Sequence, residues 1–280
     1  MAERLDVQKT YKLFIGGAFP RSESGRTFAV LGSDGSLIAN VASASRKDLR
    51  DAVVAARSAQ DGWAARTAYN RGQILYRVAE VMEGRRTQFA EELSRCGVEA
   101  RAAKKEVERA IDRWVWYAGW CDKFHHIAGT VNSVAGPYFN FTMPEPTGVV
   151  GILAPDSPAL LGLVSRLAPA LVSGNTAVVL TGEASPLTAV SMAEVVATSD
   201  VPGGVVNILT GATKDMLPWL LGHRDVNAVD LTGAPDLDAA TVAEAAENVK
   251  RLIRGVPDDQ SPYVIADFCE MKTVWHPVGR

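Results

Sequence analysis

Four side chains able to do chemistry lie close together near the end of the chain: the Cys269 thiol, the Glu270 carboxylate, the Lys272 amine and the His276 imidazole. A thiolate beside a base is what covalent acyl transfer requires. Such a thiol needs a basic neighbour to lower its pKa, and none stands at a fixed helical or loop spacing from Cys269. The other cysteines, Cys96 and Cys121, are far away, and no C-x-x-C occurs. Three widely spaced cysteines argue against a disulfide framework and for a reduced, cytoplasmic setting. The four histidines (His125, His126, His223 and His276) show no H-E-x-x-H or other ligand spacing. The adjacent His125 and His126 read as solvated residues at a helix end, and no metal is expected.

Composition narrows the remaining classes. The net charge of −3 is spread through mixed Lys, Arg, Asp and Glu, so no basic stripe points to nucleic acid. The longest apolar stretch, Gly148–Ala154, is far short of the ~20 residues of a membrane helix. Residues 1–12 are polar and lack the apolar centre of a signal peptide. At 280 residues the chain suits one large domain or two small ones.

The elements that must position any site follow from periodicity. Lys12–Ala18 and Thr27–Val41 read as short strands around Gly16-Gly17 and Ser33-Asp34-Gly35. Ser45 caps a helix with Leu49, Val53, Val54 and Ala56 on one face. Helices follow at Tyr69–Arg85 and Thr87–Cys96, then a long one over Arg101–His126, whose Trp114, Trp116, Tyr117 and Trp120 face a core. Tyr138–Thr142 reads as an exposed β-ribbon. Strands Gly148–Ala154, Thr176–Thr181, Val205–Leu209 and Val226–Leu231 then alternate with helices Pro158–Ser173, Pro186–Thr198, Thr213–Gly222 and Asp236–Arg254. Four successive β-α units imply an α/β fold, a doubly wound parallel sheet whose ligands bind at the carboxyl ends of the strands. No G-x-G-x-x-G, P-loop or G-x-S-x-G motif is present.

Six stretches carry more than pattern. "KLFIGGAF", "YAGWCDK", "EPTGVVGIL", "LAPALVSGNTAVVL", "PGGVVNILTG" and "DLTG" occur in this order between about Lys12 and Lys250. Together they resemble the NAD-dependent aldehyde dehydrogenase superfamily. The resemblance implies a Rossmann-like cofactor domain at residues 12–131 and 147–261. It also implies a small β oligomerisation element at residues 132–146 and 262–280, with no catalytic domain. In that family a cysteine thiolate attacks the aldehyde, hydride passes to NAD(P)+ and a glutamate activates water, while an asparagine holds the oxyanion.

Filling those roles here exposes gaps. Asp156 and Ser157, after Pro155, stand where the family has Trp and Asn, a degenerate oxyanion turn that also reads as a plain capped helix start. Leu180 replaces the cofactor lysine, and Glu183 aligns with a ribose-binding glutamate. Gly211, Thr232 and Gly233 keep the outline of the cofactor turns. Leu217 stands where glycine would let a helix N-terminus approach pyrophosphate. Lys214 offers a charge there, though a solvated helix position also explains it. No glutamate base lies between Leu252 and Pro262, and only residues 263–280 follow where a catalytic domain would run. "DFCEMKTVW" resembles the family's C-terminal strand, with Cys269 an ordinary strand residue. The resemblance therefore implies oligomerisation contacts at Tyr138, Phe139, Phe141, Phe268, Lys272, Val274 and Trp275.

Two functions follow as expectations. One is a non-catalytic partner subunit, similar to the second domain of aldehyde dehydrogenase 16-type chains, that assembles with a full-length aldehyde dehydrogenase or with itself. The other is an NAD(P)-binding oxidoreductase acting on aldehydes in its own right.

Overall fold

The computed structural model describes residues 8–182 and 184–279. A two-stranded ribbon, β1 (Thr27–Leu31) and β2 (Leu37–Ala42), leads into helices α1 (Arg46–Ala64), α2 (Ala68–Glu83), α3 (Arg86–Arg95), α4 (Ala100–Ala118) and the short α5 (Phe124–Ala128). Strands β3 (Thr130–Asn132) and β4 (Tyr138–Pro146) follow. The chain then alternates through β5 (Val149–Leu153), α6 (Ala159–Val172), β6 (Thr176–Thr181), α7 (Leu187–Ala197), β7 (Val206–Thr210), α8 (Thr213–Gly222) and β8 (Ala228–Asp230). It ends with α9 (Ala239–Ala243), β9 (Arg251–Ile253), α10 (Tyr263–Ala266) and β10 (Cys269–Pro277).

The parallel sheet has the order β7-β6-β5-β8-β9. Its strands are apolar on both faces, as a sheet sandwiched between helices requires. Alternation within them decides which helix layer each residue meets. Val150, Ile152, Ala177 and Val179 pack with α6, α7, α2 and α4, around Trp114 and Tyr117. Val149, Leu153, Val178 and Leu180 pack with α1 and α8. A separate antiparallel sheet has the order β10-β4-β3, with β10 paired to β4 from Cys269↔Pro146 to Pro277↔Tyr138.

The Ser45 cap forms as expected. Its hydroxyl accepts from the Asp48 amide, and the Asp48 carboxylate accepts from the Ser45 amide, a capping box. The long helix expected over Arg101–His126 stops at Ala118 instead, is capped by Gly119 and resumes as α5, which leaves His125 and His126 exposed. Lys12–Ala18 is not a strand. It is a tight turn closed by reciprocal Ile15–Ala18 hydrogen bonds, and Phe14 pairs with Ile208 at the sheet's edge.

The expected helix Asp236–Arg254 is overturned as well. After α9 and a 3-10 turn, Val249 takes a left-handed conformation (φ 53°), and Arg251–Ile253 becomes the fifth parallel strand beside β8. Local helix propensity over "TVAEAAENVKRLIR" yields to pairing with a strand already in place. The chain then passes from β9 to β10 through residues 254–268.

Candidate functional site

A doubly wound sheet opens its ligand crevice where the carboxyl ends of its strands diverge. Here that crevice lies at the ends of β5, β6, β7 and β8. Leu153, Ala154 and Asp156 come from the first, Gly182 from the second, Thr213, Lys214 and Leu217 from the third, and Gly233 with Ala234 and Leu237 from the fourth. The space they enclose is about 240 Å³, below the ~300–1,000 Å³ usual for small-molecule sites.

Of the residues expected to form a cofactor site, Pro155, Glu183, Gly211, Thr232 and Gly233, only Gly233 is seen to line this crevice among the described residues, and it meets there Asp156 of the expected oxyanion turn. A Cβ on Gly233 would lie 2.4 Å from the Leu153 carbonyl oxygen and 2.6 Å from the Ala154 carbonyl, so only glycine fits there. Pro155 is buried behind the crevice lining, and Ser157 is exposed outside it. Gly211, at φ 136°, turns the chain against Ser43 and Ala44, where the Ala44 amide donates to the Thr210 carbonyl at 2.8 Å. Its role is to join β7 to the segment before α1. Thr232 turns inward. Its amide donates to Asp230 Oδ1 at 2.9 Å, its hydroxyl donates to the same oxygen, and it accepts from the Gly255 amide at 3.0 Å. Glu183 lies outside the described residues.

The turn after β5 departs from the helix-cap expectation. Pro158 occupies the N-cap of α6 and makes no side-chain cap. The free amides of Leu160 and Leu161 are satisfied from another helix, donating to Glu106 Oε1 of α4 at 2.8 and 3.1 Å. Asp156 faces the crevice, and burial raises its carboxyl pKa. Leu180, where the resemblance expects a lysine, is wholly buried in β6. Leu217 is buried in the first turns of α8, and Asp215 places a carboxylate at that helix's N-terminal end. That end would otherwise favour a phosphate. The described residues therefore do not fit a dinucleotide. The crevice is small, one helix start carries an acid, and a second, exposed acid, Asp156, borders it.

Cys269 begins β10 with its side chain buried, donating to the Ile265 carbonyl at 3.3 Å. Burial pushes its thiol pKa up to about 12. The Lys272 ammonium is bound to Glu145 at 3.0 Å across the ribbon, and Glu270 is paired with Arg251 at 2.9 Å. Three of the four reactive types at the chain's end thus sit in separate surroundings. Among the described residues, no three His, Cys, Asp or Glu side chains gather as a metal site.

Strand register sorts the ribbon residues onto two faces. Phe139, Phe141 and Val274 share one with Val131, and the Phe139 and Phe141 rings are 5.5 Å apart. Tyr138 and Trp275 share the other, edge to face at 5.8 Å. Phe268 corrects its expectation. It precedes β10 and is wholly buried, with the Arg166 guanidinium 5.4 Å from its ring, so it is core and offers no outer contact.

Comparison with known proteins places this arrangement. The family model described as the aldehyde dehydrogenase family matches residues 20–275.

The chain belongs to the aldehyde dehydrogenase family.

It is 34% identical over 277 residues to cytosolic 10-formyltetrahydrofolate dehydrogenase of Mus musculus, covering 96% of this chain and 30% of that relative. An aldehyde dehydrogenase of Bacillus cereus, solved as its NAD+ complex, superposes with a TM-score of 0.82 at 28% identity, covering 87% of this chain and 50% of that one. An NAD-dependent aldehyde dehydrogenase from Sinorhizobium meliloti gives 0.80 at 26% identity, with 88% and 50% covered. This aldehyde dehydrogenase-family chain thus spans less than a third of the first relative and half of each solved structure. No helix among the described residues is long and apolar enough to cross a membrane.

Two buried features escaped the sequence reading. Arg166 of α6 is bound to Asp230 at the end of β8, Nε to Oδ2 at 2.6 Å, with both side chains essentially inaccessible. Arg113 of α4 donates to the carbonyls of Asp259 and Asp258 at 2.7 and 2.9 Å and also to Ser165 Oγ. A lone arginine inside the otherwise apolar α6 was the available signal for the first.

Proposed function

We propose that this chain is a non-catalytic member of the aldehyde dehydrogenase family that serves as a partner subunit. It docks on a full-length aldehyde dehydrogenase through the β3-β4-β10 sheet. The observation that carries the proposal is β10. It is a nine-residue strand paired on one side only among the described residues, and it borders a face that exposes Phe139 and Val131. An exposed edge of that length is a template for strand addition by another chain.

Three further observations support the reading. Cys269 is a core thiol, which suits no nucleophile. The chain runs from β9 to β10 through 254–268, which leaves no domain between the last strand of the parallel sheet and the ribbon. The crevice suits no dinucleotide, although solved family members bind NAD+. A cytoplasmic location belongs to the same proposal, supported by three free cysteines.

The test is affinity purification of the tagged chain from its own host, with bound proteins identified and native mass recorded. A full-length aldehyde dehydrogenase recovered in fixed ratio is the expected result. A chain recovered alone, as a monomer or self-pair, overturns the partner reading. NAD+ titration then decides whether the chain is an oxidoreductase in its own right, for which saturable binding would be required.

A further inference from the structure

A second cleft opens at the opposite, amino-terminal end of the parallel sheet, away from the nucleotide crevice. It is an open depression of about 600 Å³ between Thr147 ahead of β5, Arg224 and Asn227 ahead of β8, Lys250 and Arg251 at β9, and Glu270 of β10. Two of the residues that line it carry a buried donor with no hydrogen-bond partner among the described residues: Lys250 Nζ and Thr147 Oγ1. Lys250 is only 9% exposed. A buried ammonium without a partner is unfavourable and calls for a compensating anion.

The nearby acids do not provide one. Glu270 is taken by Arg251 at 2.9 Å. Asp225 is exposed, and its attraction opposes only in part the burial that lowers the Lys250 pKa. The Asn227 amide oxygen is also occupied, accepting from Arg57 and from the Val149 amide. The cleft lining thus offers three cations against one paired carboxylate, with two inner donors unused.

We propose that this cleft binds a small oxyanion of the phosphate class, with Lys250 Nζ and Thr147 Oγ1 as inner donors and Arg224 at the rim. Donors arriving from three separate chain segments suit a tetrahedral anion, whose oxygens point in several directions, better than a planar carboxylate. The proposal is independent of catalysis and of the partner reading.

The test titrates the full chain with inorganic phosphate, and separately with acetate, at constant ionic strength held with chloride. Calorimetry and thermal unfolding report binding. Saturable phosphate binding that chloride and acetate do not reproduce is expected. Lys250→Met should weaken it about tenfold or more, the loss of one charge-assisted hydrogen bond, and Lys250→Arg should retain most of it. Glu270→Gln should tighten binding by freeing Arg251. Arg224→Gln, at an exposed position, should weaken binding and serves as the second variant if Lys250→Met does not fold. Phosphate that acts only as chloride does overturns the proposal, as does undiminished binding in both Lys250→Met and Arg224→Gln. Preference for acetate over phosphate overturns the phosphate assignment.

Discussion

The Cys269 thiol donates to a carbonyl of its own turn and packs among core residues, so its protonation is tied to folding. An unfolded cysteine ionises near its ordinary value of 9.0, whereas the folded thiol stays neutral to about 12. The sign follows: the folded chain holds its proton where the unfolded chain releases it. The thiol's contribution is fully present below about pH 9 and is lost as pH rises towards 12. Urea titrations of Cys269→Ala should therefore show a shallower loss of stability between about pH 9 and 11 than the parent chain. An equal slope would mean the thiol is not buried as described. At Arg166 the charge is paired with Asp230 and shielded from water. Removing one partner strands the other, so Arg166→Met should cost about 3–5 kcal/mol. Combining it with Asp230→Asn should cost less than the sum of the single changes. Arg166 stood out only as the lone charge of α6, and its pairing with Asp230 was not legible, because an arginine in a helix pairs with whatever the fold brings to it. Asp156 and Leu180 were legible as departures from a familiar pattern, since each replaces a residue type with a stated job.

At the scale of elements, the β-α alternation was readable because these strands are buried on both faces and carry apolar runs no surface element would. Strand β9 was not readable. Three residues, Arg251–Ile253, are strand only because β8 lies beside them. The segment after β9 was equally opaque, a polar run around Asp258 and Asp259 with neither helix nor strand periodicity. In the fold it is a fastened strap. Arg113 binds two of its carbonyls, Arg109 pairs with Asp258 at 2.9 Å, and the Tyr117 hydroxyl reaches the Ser261 carbonyl. Arg113→Met should release this strap and leave Ser165 and two carbonyls short of a donor, at a cost of about 2–4 kcal/mol. Limited proteolysis should then cut between residues 255 and 261 in the variant and spare the parent chain. Equal cutting in both would show that Arg113 does not hold the segment.

At the scale of the molecule, β10 ties ribbon and core together. It starts in the core at Cys269, next to the buried Phe268, and runs out along β4 to an exposed end. Deleting everything after Ser261 is therefore a poor probe of assembly, since it removes core side chains along with the docking edge. Point changes on the outer face separate the two effects. Val131 is 72% exposed and Phe139 47%, so Val131→Glu with Phe139→Glu should leave the melting temperature nearly unchanged, as surface substitutions usually do. If that face meets a partner, the pair of charges buries two carboxylates in an apolar contact. Association should then weaken about 30-fold or more, the scale of a lost hot spot. Co-purification with the full-length aldehyde dehydrogenase, measured beside the thermal melt, reads both quantities on one variant. Lost partner with unchanged melt locates the interface on this face. A retained partner moves the contact off this face and leaves the unpaired edge of β10 as the part of the sheet still to be changed.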